Sequence, residues 1–296
     1  MSRDVLILGA GKMGLPMARH LQAAGHLVSV SDPDHQRLAM ARQLGLQVAE
    51  NADVAIGQAE VVLSSLPNDA ALLSVADQVA RSARKGCLYV DTSTVSQATS
   101  AEAALALNAA AVPYLRCTVS GNNKMAEAAQ LTVMASGPRA VYEQVSPLLQ
   151  TFGPNLFYLG EAEQSRLMKL VVNLMIAQTS AMLSEALTLG RKGGLDWRTM
   201  WQVLGASAVA SPILKAKSVQ LAERDFTPTF TVAQMLKDLS LILGAGADAN
   251  VPLSQTALTY QLMQAAMAQG DAMHDYAAII KVMERSAGLS DTLPDR

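Results

Sequence analysis

A glycine turn set directly after the first apolar run constrains this chain more than any other feature. Asp4–Leu8 is a compact apolar segment, and Gly9-Ala10-Gly11-Lys12-Met13-Gly14 follows it at once. Apolar residues then recur at helical spacing, with Met13, Met17 and Leu21 four apart. A G-x-G-x-x-G is a weak signal alone, but between a strand and a helix at the head of a βαβ unit it is specific. Gly9 permits the tight turn, Gly11 lets backbone approach a pyrophosphate, and Gly14 lets the helix pack closely on the strand. The helix N-terminus then turns its open N–H groups toward the phosphates. Gly9, Ala10, Gly11, Lys12, Met13 and Gly14 are therefore the expected phosphate-side contacts of a dinucleotide.

The second strand, Leu27–Ser31, runs into Asp32, 18 positions past Gly14. A carboxylate there accepts hydrogen bonds from the adenosine ribose hydroxyls and repels a 2′-phosphate, which favours NAD over NADP. Two other readings stay open. Asp32 could serve only to start the Asp32-Pro33-Asp34 turn, and Arg37 keeps NADP as the second choice of cofactor.

Strands alternate with helices as far as residue 159. Strands fit residues 47–48, 60–65, 87–90, 112–117, 131–135 and 156–159. That alternation predicts an α/β fold: an N-terminal Rossmann-type, doubly wound, mostly parallel sheet with helices on both faces, followed by an all-α C-terminal domain. No convincing strand follows Gly160. Residues 164–191 read as one helix of about 28 residues, stopped by Gly193-Gly194, which is long for a single small domain. Further helices fit 196–204, 213–223, 232–245, 254–269 and 276–286. The expected division is 1–162, an NAD-binding Rossmann domain, and 163–296, a helical domain for substrate closure and oligomerisation, entered by the long helix.

Composition excludes several classes. Half of the residues are hydrophobic and 16% are charged, which argues for a buried core and against disorder. A net charge of −2 gives no electrostatic case for nucleic acid or an anionic membrane, and 4% aromatic residues leave little for base stacking. Cys87 and Cys117 lie in apolar runs and read as buried reduced thiols. His20, His26, His35 and His274 form no metal-ligand spacing, so no metal site is expected. The first residues form a strand rather than a signal peptide, and the apolar stretch 170–183 is too short and too polar to span a bilayer. A soluble cytoplasmic protein is expected.

Several further blocks resemble one family. Residues 9–32 read GAGKMGLPMARHLQAAGHLVSVSD, and Leu66-Pro67, Asp91-Thr92-Ser93-Thr94, Val119-Ser120-Gly121, Lys169-Leu170-Val171-Val172-Asn173, Glu185-Ala186 and Lys237-Asp238-Leu239 follow in order. Together they are similar to the β-hydroxyacid dehydrogenases, the 3-hydroxyisobutyrate dehydrogenase-like enzymes. The resemblance implies hydride transfer between NAD and a hydroxyl β to a carboxylate, and homodimers or homotetramers built from the helical part. It implies that Lys169 is the acid/base, that Ser120 and Gly121, with Asn122 beside them, hold the substrate carboxylate, and that Asn173 positions it. Thr94 would lie near the nicotinamide, Lys237 would approach the cofactor, and Leu66 and Pro67 would line its cleft.

The residues agree chemically with these roles. Oxidising an alcohol by hydride transfer needs a base for the hydroxyl proton and an anchor for the carboxylate. Lys169 and Asn173, at i and i+4 on one helix, can face one ligand. Two blocks depart from the family, which usually reads D-A-P-V-S-G-G where this chain has Arg116-Cys117-Thr118-Val119-Ser120-Gly121-Asn122, and Gly-Thr where it has Ala129-Gln130. Arg116 and Lys124 add positive charge beside the carboxylate loop. Either both face solvent or they favour a small-molecule hydroxyacid with a second anionic group. Two alternatives to a hydroxyacid dehydrogenase are an imine reductase of related architecture and a non-catalytic nucleotide-binding or oligomerisation domain.

Overall fold

A computed structural model describes residues 2–293. It divides into two compact units between Lys169 and Leu170.

The first unit alternates strands and helices in the order β1 (Asp4–Leu8), α1 (Gly14–Ala23), β2 (Leu27–Ser31), α2 (His35–Gln43), β3 (Gln47–Val48), α3 (Ala52–Gln58), β4 (Val61–Ser64), α4 (Asp69–Ser82), β5 (Leu88–Asp91) and α5 (Gln97–Ala109). It continues with β6 (Tyr114–Ser120), α6 (Asn123–Glu127), β7 (Thr132–Ser136), α7 (Arg139–Leu149) and β8 (Asn155–Tyr158). Among the described residues these strands form one sheet in the order β3-β2-β1-β4-β5-β6-β7-β8. Only β6 and β7 run antiparallel. The segment joining them, residues 121–131, falls short of the dozen or so residues that a parallel crossover requires.

Side-chain alternation on β1 builds two cores, one on each face of the sheet. Val5 and Ile7 pack with Met17 and Leu21 of α1 and with Val145 and Leu149 of α7. Leu6 and Leu8 pack with Ile56, Leu72, Val79 and Leu107 on the opposite face. The sheet changes direction of growth between β1 and β4, and in a doubly wound sheet the crevice at the C-terminal ends of those strands takes the ligand. Gly9 and Ser65 stand there.

The long helix, α8 (Gln164–Lys192), belongs to the first unit through residue 169 and to the second beyond it. The second unit continues with α9 (Trp197–Ala206), α10 (Pro212–Leu221), α11 (Val232–Asp248), α12 (Ser254–Ala266) and α13 (Ile279–Ser286). Leu170, Ala177 and Ala181 pack against α11, α12 and α13, while Leu183 and Leu187 pack against Trp197, Trp201 and Leu221. By length and composition alone α8 could cross a bilayer, more than residues 170–183 suggest. Its buried stripe instead forms the core of the second unit.

The structure differs from the expected elements in four places. Strand β6 starts at Tyr114, because Val112 still caps α5 through its N–H to Leu107 O at 2.9 Å and Pro113 has no N–H to give. Helices α6 and α7 were not anticipated. The expected helix over 254–269 ends as an α-helix at Ala266, and a wider turn over Met267–Asp271 follows, where Gly270 adopts a φ of 91°.

Candidate active site

The glycine loop is held by contacts that only glycine permits at two positions. Gly9 has a φ of +105°, and a Cβ there would lie 2.3 Å from the Ser65 carbonyl oxygen. A Cβ on Gly14 would lie 1.9 Å from the Gly9 carbonyl oxygen, so close packing of α1 on the turn demands glycine. Gly11 differs, since a Cβ there meets nothing within 4 Å. Its glycine serves no contact inside the protein and leaves room for a ligand. Helix α1 has no side-chain cap and no acid in its first turn, which suits an incoming pyrophosphate.

Asp32 does two jobs. Its Oδ2 accepts the Ala10 N–H at 2.7 Å and its Oδ1 accepts the Asp34 N–H at 2.8 Å. It therefore starts the turn and also ties the glycine loop to the end of β2. Arg37 Nη1 approaches Oδ2 at 3.4 Å from a half-exposed position.

A buried polar network lies at the ends of β4 and β5. Asp91 accepts hydrogen bonds from the hydroxyls of Ser64 and Ser93, the latter at 2.6 Å. Ser93 Oγ in turn accepts the Leu66 N–H at 2.8 Å, so the loop after β4 is fastened to the loop after β5. Arg166, from the first turn of α8, completes the network. Its Nη2 donates to Asp91 Oδ2 at 2.5 Å and to Tyr114 OH at 2.7 Å, its Nη1 to the Ser93 carbonyl at 2.6 Å, and its Nε to Ser100 Oγ at 3.2 Å. Both Arg166 and Asp91 have fully buried side chains. Burial pushes the guanidinium down, but Tyr114 and Asp91 beside it raise it above its ordinary value, so it stays charged. Burial together with Asp91 keeps the Tyr89 phenol neutral well above its usual range. No sequence pattern marked Arg166, because its partners lie far from it along the chain.

Among the expected substrate residues, Ser120 ends β6 opposite Thr132. Gly121 has a φ of +139°, and a Cβ there would meet Leu131 Cδ2 at 2.6 Å. Asn122 spends its Oδ1 as the N-cap of α6, accepting the Met125 N–H at 3.0 Å. Thr94 and Leu66 are half-buried, and Pro67 and Lys12 exposed. Lys169 is half-buried in the second turn of α8, three residues past Arg166. Arg116 corrects one expectation: it neither faces solvent nor stands free to bind an anion. It is buried in an ion pair with Glu163, and its guanidinium lies 4.6 Å from the centre of the Tyr114 ring. Lys124 is exposed.

In the second unit Asn173 is buried on α8 and donates its Nδ2 to Asp238 Oδ2 of α11 at 2.5 Å. A carboxylate can only accept, so the amide nitrogen must turn toward Asp238, and the carbonyl Oδ1 lies on the edge turned away. Lys237 Nζ sits 2.9 Å from Asp238 Oδ1. Asp238 is buried, at 1% exposed.

Residues 4–160 match the NAD binding domain of 6-phosphogluconate dehydrogenase, and residues 164–283 match the NAD-binding domain of NADP-dependent 3-hydroxyisobutyrate dehydrogenase. The chain is 33% identical to 2-(hydroxymethyl)glutarate dehydrogenase of Eubacterium barkeri, over 96% of this chain and 95% of that one. It is 28% identical to glyoxylate/succinic semialdehyde reductase 1 of Arabidopsis thaliana, over 96% and 99%. Among solved structures, the 3-hydroxyisobutyrate dehydrogenase of Mycobacterium tuberculosis with L-serine superposes with a TM-score of 0.87 at 28% identity, over 96% of this chain and 99% of that one.

Proposed function

This chain belongs to the β-hydroxyacid dehydrogenases of the 3-hydroxyisobutyrate dehydrogenase type, NAD(P)-dependent oxidoreductases acting on CH–OH, and from that premise we propose that it interconverts a 3-hydroxy carboxylic acid and the matching semialdehyde or 3-oxo acid, with Lys169 as general acid/base and NAD preferred. One observation carries the site reading: Lys169 and Asn173 stand one turn apart on α8, and a buried carboxylate orients the asparagine amide. The relatives support the substrate class. Both 2-(hydroxymethyl)glutarate and L-serine carry a hydroxyl on the carbon β to a carboxylate.

Bound NAD supplies the hydride acceptor. The neutral Lys169 amine takes the proton from the substrate hydroxyl, and in reduction the ammonium returns it to the carbonyl oxygen. Asn173 presents Oδ1, an acceptor that suits the substrate hydroxyl or the Lys169 ammonium. Ser120, Gly121 and Asn122 hold the carboxylate, Ser120 through its hydroxyl. Asp32 takes the ribose hydroxyls and repels a 2′-phosphate, and Gly9 to Gly14, Leu66, Pro67, Thr94 and Lys237 complete the cofactor site. With Arg116 committed to Glu163, Lys124 is the basic residue left to favour a second carboxylate.

A second copy of the chain covers the stripe of Met168, Met175, Met182 and Leu189, spaced seven apart on α8, which is exposed in the single chain. Of the other apolar residues of α8, Leu183 is buried within the second unit and Leu174 half-buried. Light scattering then reports a dimer or tetramer. Two free, buried cysteines fit a reducing compartment and hence the cytoplasm.

The test is turnover with a panel of 2- and 3-hydroxy acids, mono- and dicarboxylic, with NAD and with NADP. Oxidation of 3-hydroxy acids with NAD preferred supports the proposal. Turnover confined to 2-hydroxy acids or to cyclic imines contradicts it.

A further inference from the structure

Arg166 and Lys169 leave the same turn region of α8, three residues apart. The first six residues of that helix are tied into the first unit. Thr118 Oγ1 donates to the Ser165 carbonyl at 2.9 Å, and the Ser165 N–H donates to Ser136 Oγ at 3.0 Å. These contacts fix the height of the helix end above β6 and β7. Arg166 adds what they cannot: a link to the C-terminal end of β5 and the loop after it. Its planar fork reaches Asp91 at the end of β5, the Ser93 carbonyl one residue before Thr94, and, through Asp91 and Ser93 Oγ, the Leu66 N–H.

We propose that Arg166 is a positioning residue of the dehydrogenase, setting the distance and angle between Lys169 and the loops that carry Leu66 and Thr94. This inference rests on the function proposed above, in which Lys169 moves the proton and those loops border the cofactor. Arg166 touches neither substrate nor cofactor in this account. It acts by joining the helix that carries the base to the two loops that border the cofactor. The chemistry of the side chain is the reason for an arginine. A guanidinium presents five donors in a fixed plane and satisfies four acceptors from four different segments at once, whereas an ammonium is a point charge on a flexible stem. A charge pair needed only for stability would use one bond to Asp91. Here three further donors reach a loop carbonyl, a strand tyrosine and a helix serine.

The experiment compares Arg166→Lys and Arg166→Gln with the native enzyme and with Lys169→Ala. Arg166→Lys keeps a positive charge facing Asp91 but cannot span the other three acceptors. Positioning predicts that Arg166→Lys melts close to native and well above Arg166→Gln, with NADH affinity within about threefold of native, yet with kcat lowered roughly ten- to a hundredfold, the loss that about 1 Å of misplacement causes. The primary deuterium isotope effect on kcat rises with it, because hydride transfer becomes the slow step. Native kcat and a native isotope effect in Arg166→Lys overturn the inference. If Arg166→Lys does not fold, Tyr114→Phe removes one acceptor oxygen from the fork: a lower kcat at native Tm supports positioning, and an unchanged kcat overturns it. An inactive native enzyme defeats the proposed function and this inference with it. An active native enzyme that depends on Lys169 beside a fully active Arg166→Lys defeats the inference alone.

Discussion

Asn173 and Asp238, 65 residues apart in the chain, meet in a buried charge-assisted hydrogen bond of 2.5 Å. The bond decides which edge of the Asn173 amide is open to a ligand. Asp238→Asn removes that constraint, because an amide partner can donate or accept and lets Asn173 turn over. A hydrogen bond to a charged group is worth about 1.5–3 kcal/mol, so kcat/KM falls roughly ten- to a hundredfold. The two residues act as one unit, so adding Asn173→Ala to Asp238→Asn costs little more. Losses that multiply in the double variant contradict this.

The proposed role of Asp32 in choosing the cofactor gives a direct prediction. On that proposal kcat/KM for NAD is expected to be at least about tenfold that for NADP, the low end of what a lost charge-assisted bond costs. Asp32→Ala erases the preference. It also raises KM for both cofactors, because the Ala10 N–H loses its acceptor. A native preference for NADP refutes the assignment.

Gly14 and Gly11 of the loop answer differently to alanine. Gly14→Ala drives a methyl group into the Gly9 carbonyl, which is backbone and cannot swing away. Overpacking of this kind costs roughly 1–3 kcal/mol, several degrees of Tm. Gly11→Ala meets only open space, so Tm stays native while NAD affinity falls at least about tenfold, or roughly 1.4 kcal/mol. Equal losses of Tm in both variants, or native NAD affinity in Gly11→Ala, count against this reading of the loop.

Asp271 ties the second unit together at neutral pH. Burial raises its carboxyl, but the hydrogen bonds from Lys281 and His274 and the charges of Lys281 and Arg285 outweigh it and hold the group below its ordinary value of 3.8. A carboxylate depressed in the folded state stabilises above its unfolded pKa, and that stability is lost as pH falls through the folded value. Asp271→Asn therefore lowers stability by about 1–3 kcal/mol at neutral pH. The gap in Tm between native and variant narrows below about pH 4, where the native carboxylate takes up its proton. A gap that is constant from neutral to acid pH rules the ion cluster out as its source.

What the sequence disclosed and what it hid follow from distance along the chain. The glycine loop, Asp32 and the Lys169-to-Asn173 spacing are local patterns, and the alternation to residue 159 follows from side-chain periods of 2 and 3.6. Helix α7 was legible in principle, since Val141, Val145, Leu148 and Leu149 recur at helical spacing, but Pro147 in the same stretch reads as a break. The partners of Arg166 lie 52 to 75 residues away, and nothing local announces them. Arg116 read as a free positive charge because Glu163, which neutralises it, is 47 residues downstream. The role of Asp238 was hidden in the same way, because only the packing of α11 reveals that it is buried against Asn173.

The measurement that bears most directly on the account is kcat of Lys169→Ala with a 3-hydroxy acid under conditions where chemistry limits the rate. NAD still binds, because the glycine loop and Asp32 are intact. The account predicts a fall of about 10²–10⁴-fold, the loss expected when a proton-transfer group is removed. It also predicts no rescue by Lys169→Arg, since a guanidinium does not give up its proton in this range. A Lys169→Ala enzyme that keeps more than about a tenth of native kcat, well short of that range, shows that another group moves the proton and contradicts the assignment.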